Sequence, residues 1–311
     1  MGFGAESTTD DVIDGIDLSG RTALVTGAGA GLGAETVRTL AAAGATVILT
    51  ARDEAKNDRT AAMVRASVPD AALELHHLDL ASLASVRAFA DALPGDLVLD
   101  LLINNAGVMA CPQASTADGF EMQIGTNHLG HFALTSRLIP ALLRADAPRV
   151  VNLSSRGHLR SDIHWDDPHF RTHDYDKWAA YGQSKTANVL FTVGLEQRFG
   201  PRGLHSFALH PGVILTELGR HMDGQDLTEL RARVPAVSVP KTVPQGAATT
   251  VWAATSPDLA GRGGLYLEDC HIADVSTSAE GGYAPYARDP DAAERLWAWS
   301  EVEVGEQVPL V

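Results

Sequence analysis

A chain of 311 residues, 45% hydrophobic and 20% charged, is long enough to bury a full globular core. Its net charge of −15 disfavours nucleic-acid and membrane-surface partners, because an acidic surface repels phosphate groups. Its two cysteines exclude a disulfide framework. The sequence shows neither a signal-peptide pattern nor an apolar run of about 18 residues, so we expect a cytoplasmic protein with no membrane contact.

From about residue 20 onward, apolar strand-like runs alternate with amphipathic helix-like runs. This alternation predicts an α/β fold: a single-domain, Rossmann-type, doubly wound parallel sheet of about seven strands with helices on both faces. The predicted strands are 22–26, 45–50, 73–78, 97–103, 150–153, 204–209 and 265–267, and the predicted helices include 32–43, 82–93, 119–143 and 181–199.

We expect one domain over residues 20–311, preceded by an N-terminal extension over 1–19. Two long segments within this domain lack clear periodicity. Long irregular segments in compact domains usually have a function. We therefore predict an inserted segment at 156–180 and a substrate lid at 212–243.

A glycine-rich turn, TGAGAGLG at 26–33, connects the first strand to the first helix. Glycines at such a turn allow a pyrophosphate to approach backbone N–H groups, and the helix N-terminus adds partial positive charge. The alternative is a simple tight turn. The pattern predicts a dinucleotide site that contains Gly27, Gly29, Ala30, Gly31, Leu32 and Gly33.

The second strand ends in Thr-Ala-Arg-Asp at 50–53. An acid near this point usually binds the ribose hydroxyls of NAD(H), whereas an arginine accommodates the 2′-phosphate of NADP(H). Arg52 therefore favours NADP(H). NAD(H) is the alternative, with Asp53 as the ribose ligand, although Asp53 is also suited to cap the next helix.

Tyr181 and Lys185 lie four residues apart in a helical pattern, so they share one helix face. A nearby ammonium group favours the phenolate and lowers a pKa that is ordinarily near 10. Such a tyrosine could exchange a proton with an alcohol or carbonyl oxygen. A chance pairing at this spacing is the alternative.

Polar residues follow two of the predicted strands, at the edge where ligands bind in open α/β sheets. Ser154 and Ser155 follow the strand 150–153, and Asn-Asn-Ala-Gly at 104–107 follows the strand 97–103. Each group alone could serve a turn. Together with the glycine loop and the Tyr181/Lys185 pair, they indicate one active site.

These motifs closely resemble the short-chain dehydrogenase/reductase family over about residues 20–270. The resemblance rests on TGAGAGLG, Asp79-Leu80, NNAG, NHLGHF, VVNLSS, YGQSK and HPGVILTEL. It implies that Ser155 binds the substrate oxygen, with Ser154 as the alternative, that Tyr181 is the acid/base, that Lys185 binds the nicotinamide ribose, and that Asn127 helps hold a relay water. The implied cofactor contacts are Asp79, Leu80, Asn105, Ala106, Gly107, Tyr181, Lys185, Pro211, Gly212, Val213 and Thr216.

The long spacing between Ser155 and Tyr181 resembles the retinol-dehydrogenase/WW-domain-oxidoreductase-like branch of this family. Family members are often dimers or tetramers, so the resemblance is compatible with a homo-oligomer and does not decide the oligomeric state. The histidines, including His128, His131 and four in the inserted segment, form no recognised ligand set. We therefore expect no metal.

The sequence thus predicts NADP(H)-dependent hydride transfer to or from a small-molecule carbonyl or alcohol, with ketone or aldehyde reduction as the expected direction. One alternative is the reduction of an activated C=C bond, as in the similar protochlorophyllide reductases. An alternative of another class is a non-catalytic NADP(H) sensor. Such proteins usually lose the Tyr/Lys pair, which this chain keeps.

Overall fold

The computed structural model describes residues 2–214, 216–220, 222, 224, 226, 228, 240–276 and 281–308. The strands in these ranges are β1 (Thr22–Thr26), β2 (Thr46–Ala51), β3 (Leu73–His77), β4 (Leu101–Asn104), β5 (Arg149–Leu153), β6 (His205–His210), β7 (Leu265–Glu268) and β8 (His271–Ile272). They form one sheet in the order β3-β2-β1-β4-β5-β6-β7-β8. The predicted doubly wound parallel fold is confirmed.

All of the strand pairs are parallel except β7 with β8, which is antiparallel. The seven predicted strands all form, and β8 is an eighth strand of only two residues, too short to leave a pattern. The predicted strand 97–103 begins too early. Asp100 holds the chain before β4, since its carboxylate accepts the Thr22 N–H at 2.8 Å and pairs with Arg21, so regular pairing starts at Leu101.

Helices cover both faces of the sheet. They are α1 (Thr9–Ile13), α2 (Gly31–Ala42), α3 (Glu54–Ser67), α4 (Leu83–Ala92), α5 (Met122–Ile124), α6 (Gly130–Leu142), α7 (Lys177–Phe199), α8 (Val243–Thr255) and α9 (Pro290–Val304). One apolar core includes Val37 of α2 and Val251 of α8. A second, on the opposite face, includes Phe132 of α6, Phe191 of α7 and Trp297 of α9.

The predicted helix 119–143 is interrupted in the structure. The short helix α5 passes into a π-helical turn, Gly125–Leu129, before α6 continues. Hydrophobic periodicity does not distinguish a π turn from an α turn, and such turns often occur at functional sites. This turn contains Asn127.

Helix α7 begins four residues before the predicted start. The Asp176 carboxylate accepts the N–H groups of Trp178 and Ala179 and so caps the helix there. The helix is also buried on more than one side. Tyr181 and Lys185 are only 4% and 3% exposed, so both lie inside this packed region.

Three segments lie outside the regular alternation of strands and helices: the N-terminal extension, the inserted segment and the predicted lid. In the N-terminal extension, α1 packs against α2 and α8. The inserted segment starts with a 3₁₀ turn, Arg156–Arg160, and then follows an irregular path to α7. Half of the predicted lid, including 229–239, lies outside the described residues. Among the described helices, none has the length and apolar character that crossing a membrane requires.

Candidate active site

A cleft of about 330 Å³ lies at the carboxyl ends of β1 and β4. Successive crossovers run in opposite directions from these two neighbouring strands, and ligands bind at such switch points in open α/β sheets. Most of the predicted cofactor residues line this cleft: Gly27, Gly29, Ala30, Gly31, Leu32, Gly33, Arg52, Asp79, Leu80, Asn105, Ala106, Gly107, Lys185, Pro211 and Thr216.

Two glycines of the loop leave no room for a side chain. A Cβ on Gly27, whose φ is +66°, would lie 2.8 Å from the Ala106 Cα atom. A Cβ on Gly33 would lie 2.4 Å from the Gly27 carbonyl oxygen and 2.6 Å from Asn105 Nδ2. The loop therefore packs directly on the Asn-Asn-Ala-Gly turn, with bare backbone bordering the cleft.

The start of α2 fits an anionic group. No side chain caps this helix at Ala30, whereas Asp53, Ser82 and Asp176 cap α3, α4 and α7. Uncapped N–H groups at a helix N-terminus are donors with partial positive charge. Because Gly31, Leu32 and Gly33 line the cleft, these donors suit the pyrophosphate of a dinucleotide.

Asn105 and Asp79 reach the cleft in different ways. Asn105 Nδ2 donates to the carbonyl oxygens of Thr26 at 2.7 Å and Gly27 at 3.3 Å, so its side chain supports the glycine loop from below. Asp79 Oδ1 accepts the Ala81 N–H at 3.0 Å. Asn105, a predicted cofactor contact, thus lines the cleft while its amide is directed toward the protein backbone.

The mouth of the cleft carries positive charge next to β2. Arg52 is exposed and lines the cleft, while Asp53 caps α3 by accepting the Lys56 N–H. Sequence reasoning missed Lys56, which also lines the cleft and forms an ion pair with Glu217 on the other side. Its position in the first turn of α3, directly after Arg52 and Asp53, was the available signal.

Ser155 and Tyr181 lie beside Lys185, which lines the cleft, while neither Ser155 nor Tyr181 is part of its lining. The hydroxyl groups of Ser155 and Tyr181 are hydrogen-bonded, and Lys185 Nζ lies 5.6 Å from the centre of the Tyr181 ring. Lys185 Nζ donates to the Leu153 carbonyl oxygen at 3.0 Å. Ser154 instead donates to the Lys185 carbonyl oxygen at 2.8 Å, so Ser155 is the serine beside the phenol.

Burial dominates the electrostatics of this group. It raises the pKa of Tyr181 to about 12, and the hydrogen bond from Ser155 offsets only part of that rise. Burial also lowers the pKa of Lys185 to about 8. The expected lowering of the Tyr181 pKa is therefore wrong for the protein alone, because the packing around α7 takes the phenol out of water and this burial outweighs the nearby ammonium group.

The side chain of Asn127 makes three hydrogen bonds that hold neighbouring elements together. Its Nδ2 group donates to the Val108 carbonyl oxygen and to Ser184 Oγ, both at 2.9 Å, and its Oδ1 accepts the Val108 N–H at 2.8 Å. The side chain thus joins the Asn-Asn-Ala-Gly turn to α7. Both Nδ2 protons are used, so a water held by Asn127 would have to donate to an oxygen, either Oδ1 or the backbone carbonyl.

Of the four predicted cofactor contacts after β6, two line the cleft and two do not. Pro211 and Thr216 line the cleft, and Thr216 lies against Gly31. Gly212 and Val213 do not line it, because they contact Lys241: a Cβ on Gly212 would lie 2.7 Å from Lys241 Cδ, and the Val213 carbonyl oxygen accepts the Lys241 N–H at 2.9 Å.

Several histidines are packed inside the protein. His128, His131, His158 and His169 are each less than 9% exposed. Within the described ranges, no three His, Cys, Asp or Glu side chains lie close enough together to hold a metal ion.

Comparison with known proteins identifies the family. A model described as short chain dehydrogenase matches residues 21–167. A probable oxidoreductase of Streptomyces lividans is 45% identical over 295 residues, which cover 91% of this chain and 97% of that protein. The chain belongs to the short-chain dehydrogenase/reductase family. Human retinol dehydrogenase 13 is 41% identical, with 94% of this chain and 87% of that protein covered, so the predicted resemblance to the retinol-dehydrogenase branch is also confirmed.

Solved structures agree with this family assignment. One from Mycobacterium paratuberculosis matches 99% of this chain and 100% of its own, with a TM-score of 0.76 and 36% identity. The RhlG/NADP active-site complex of Pseudomonas aeruginosa matches 81% of this chain and 95% of its own, with a TM-score of 0.64 and 27% identity. Nicotinamide-nucleotide binding thus occurs on this fold in a related protein.

The glycine packing leads to a first prediction. The Gly33→Ala variant should lose stability by about 1–3 kcal/mol, because its methyl group would overlap Gly27 and Asn105. It should also bind a nicotinamide dinucleotide more weakly, since the loop must move. Thermal unfolding and fluorescence titration measure both effects. Gly95→Ala is the control, since its Cβ meets nothing within 4 Å, and equal behaviour of the two variants would contradict the packing argument.

The buried ammonium leads to a second prediction. The unfolded chain keeps the proton of Lys185 up to pH 10.5 and the folded protein only up to about pH 8, so the charged lysine destabilises the fold, fully below pH 8 and less as pH rises to 10.5. Lys185→Met should therefore raise the free energy of unfolding at pH 7, by up to about 3 kcal/mol. Asn188 Nδ2 still donates to the Leu153 carbonyl oxygen in this variant.

Denaturant unfolding of wild type and Lys185→Met between pH 7 and 10.5 checks this sign. The advantage of the methionine variant should shrink as pH rises. A variant that is less stable than wild type at pH 7 would show that the ammonium group contributes more through its hydrogen bond than it costs by burial.

Proposed function

We propose that this protein is an NADP(H)-dependent carbonyl reductase that transfers a hydride between the cofactor and a small ketone or aldehyde, reversibly with the corresponding alcohol. The observation that carries the proposal is the hydrogen-bonded Ser155–Tyr181 pair beside Lys185, next to a cleft bordered by an uncapped helix N-terminus. Its relatives include a probable oxidoreductase and retinol dehydrogenase 13.

Each side chain has a distinct task in this proposal. Ser155 donates a hydrogen bond to the substrate oxygen and orients it toward Tyr181. The Tyr181 hydroxyl transfers the proton, and Lys185 stabilises negative charge on the phenol oxygen. The bound cofactor supplies or accepts the hydride. Asn127 keeps the Asn-Asn-Ala-Gly turn in register with α7.

The protonation state of Tyr181 favours reduction over oxidation. A phenol whose pKa lies near 12 carries its proton at neutral pH, so it is ready to protonate a carbonyl oxygen. Alcohol oxidation requires the phenolate, which burial disfavours. In a reducing cytoplasm, where we propose that the protein works, reduction is therefore the expected direction.

The choice of NADP(H) rests on Arg52 and Lys56. Both line the cleft beside β2, and Asp53, the candidate ribose ligand of an NAD(H) enzyme, caps α3 instead. Two cations next to the 2′ position suit a phosphate group better than a bare hydroxyl group. NADP in the complex of the related RhlG supports the same choice.

A tyrosine substitution tests the catalytic proposal. Tyr181→Phe should lower kcat for carbonyl reduction at least about 10²-fold, the contribution expected of an acid/base group, while NADPH still binds. A panel of aldehydes and ketones, followed by NADPH absorbance, gives the rates, and fluorescence titration gives the cofactor affinity. Tyr283→Phe is the control, since this tyrosine packs against Tyr266 and the Arg288 guanidinium and has no place in the proposed proton transfer. Full activity of Tyr181→Phe would refute the role.

A second pair of variants tests the cofactor choice. Arg52→Ala should raise the KM for NADPH by about tenfold or more and leave the KM for NADH nearly unchanged, because only the phosphate contact is lost. Lys56→Ala should act in the same direction but more weakly, since Glu217 already shares its charge. Arg65→Ala, on the exposed side of α3, is the control. An unaltered NADPH/NADH preference in Arg52→Ala would rule out this recognition.

A further inference from the structure

His131 lies out of contact with the cleft, yet it connects two of the cleft's walls. The residue is 2% exposed and lies in the first turn of α6. One ring nitrogen, Nε2, lies 2.8 Å from Thr26 Oγ1, and the other, Nδ1, lies 2.9 Å from the Asn127 carbonyl oxygen. The imidazole thus bridges the end of β1 and the π-helical turn.

The hydrogen-bond partners of Thr26 determine which nitrogen carries the proton. Thr26 Oγ1 accepts the backbone N–H groups of Asn105 at 2.9 Å and Ala106 at 3.0 Å, so its lone pairs are used. Its own proton must then go to the nearest acceptor, which is His131 Nε2, since the Ile103 carbonyl oxygen is 3.4 Å away. The ring is therefore the Nδ1–H tautomer, and Nδ1 donates to the Asn127 carbonyl oxygen.

This tautomer is stable under ordinary conditions. Burial, with a smaller effect from the positive charge of Lys185, lowers the pKa of His131 to about 4 against the opposing hydrogen bond to the Asn127 carbonyl oxygen. A second proton on Nε2 would also face a hydroxyl group that already accepts two hydrogen bonds. The ring stays neutral, which makes it a fixed connection and not a proton carrier.

The two ends of this connection lie next to different parts of the site. Thr26 positions the backbone of Asn105 and Ala106, which lines the cleft, and leads directly into Gly27. Asn127 lies next to Gly107 and Lys185: a Cβ on Gly107 would lie 3.1 Å from Asn127 Oδ1 and 3.6 Å from Lys185 Nζ. The Thr26 end therefore lies where the cofactor would bind. The Asn127 end lies where the proton would be transferred.

We propose that His131 is a positioning residue that holds the cofactor loop through Thr26 and the Asn127 peptide group through its other nitrogen, so that both are in register with Tyr181 and Lys185. The proposal rests on the proposed reductase function for its Asn127 half. Its Thr26 half concerns cofactor binding alone.

Two substitutions separate the two ends. Asparagine at position 131 places an amide N–H near the position of Nδ1, and glutamine places an amide oxygen near the position of Nε2. His131→Asn should keep kcat within about threefold and weaken NADPH binding by about five- to tenfold, the effect of one hydrogen bond. His131→Gln should do the reverse, with nearly unchanged NADPH affinity and a kcat lowered by about five- to tenfold.

His128→Asn and His128→Gln are matched controls. This histidine is also buried beside Asn127, but it bonds to Ser300 Oγ at 2.7 Å, away from the cleft. Its two variants should lower the melting temperature without separating kcat from NADPH affinity. Thr26→Val removes the hydroxyl group without altering the ring and should weaken NADPH binding.

The experiment combines fluorescence titration of NADPH, kcat on a reactive aldehyde and thermal unfolding for all variants. The opposite shifts of His131→Asn and His131→Gln support the proposal. Loss of stability in both, with kcat and NADPH affinity changed together or not at all, overturns it. If wild type turns over no carbonyl compound, the proposed function fails, and the NADPH affinities of His131→Asn, His131→Gln and Thr26→Val still decide the Thr26 half.

Discussion

The ammonium group of Lys185 lies almost entirely out of water at the carboxyl end of β5, where a cation is expensive to hold. The surrounding backbone is arranged to receive it. Nζ donates to the Leu153 carbonyl oxygen, Ser154 Oγ donates to the Lys185 carbonyl oxygen, and Asn188 Nδ2 donates to Leu153 as well. These bonds fix the start of α7 against the end of β5. The relative position of Tyr181 and Ser155 depends on that junction.

Buried amide groups extend this fixed region to the neighbouring strand. Asn104 Nδ2 donates to Asn152 Oδ1 at 2.8 Å and to Thr135 Oγ1 at 3.0 Å, while Asn152 Nδ2 donates to Thr192 Oγ1 at 2.9 Å. A polar network of this kind is strong inside a protein and tolerates few alternative arrangements. The network holds Asn104 and Asn152 in register at the ends of β4 and β5. The Asn-Asn-Ala-Gly turn therefore lies beside Ser154 and Ser155.

The sequence predicted the elements of the fold better than the electrostatics of the site. Apolar runs mark buried strands clearly, and capping side chains such as Asp53 mark helix starts. The π-helical turn at Asn127 has no such signal, because apolar positions recur similarly in both helix types. The pKa of Tyr181 could not be predicted from its spacing to Lys185, since that spacing sets proximity but the packing around α7 sets burial. Lys56 carries only a weak signal in the sequence, its place in the first turn of the helix that follows Arg52, and the fold brings it to the cleft.

The ion pair between Lys56 and Glu217 shows how an acidic protein can keep an anion site available. Both side chains are partly exposed, with 33% and 59% of their surface accessible, and such pairs stabilise a protein by no more than about 1 kcal/mol. A phosphate group could therefore replace Glu217 at little cost. A buried pair would instead cost several kcal/mol to break. Glu217 neutralises the charge of Lys56 until a phosphate group replaces it. Because the pair is exposed at the mouth of the cleft, Lys56 stays available to an anion in a chain of net charge −15.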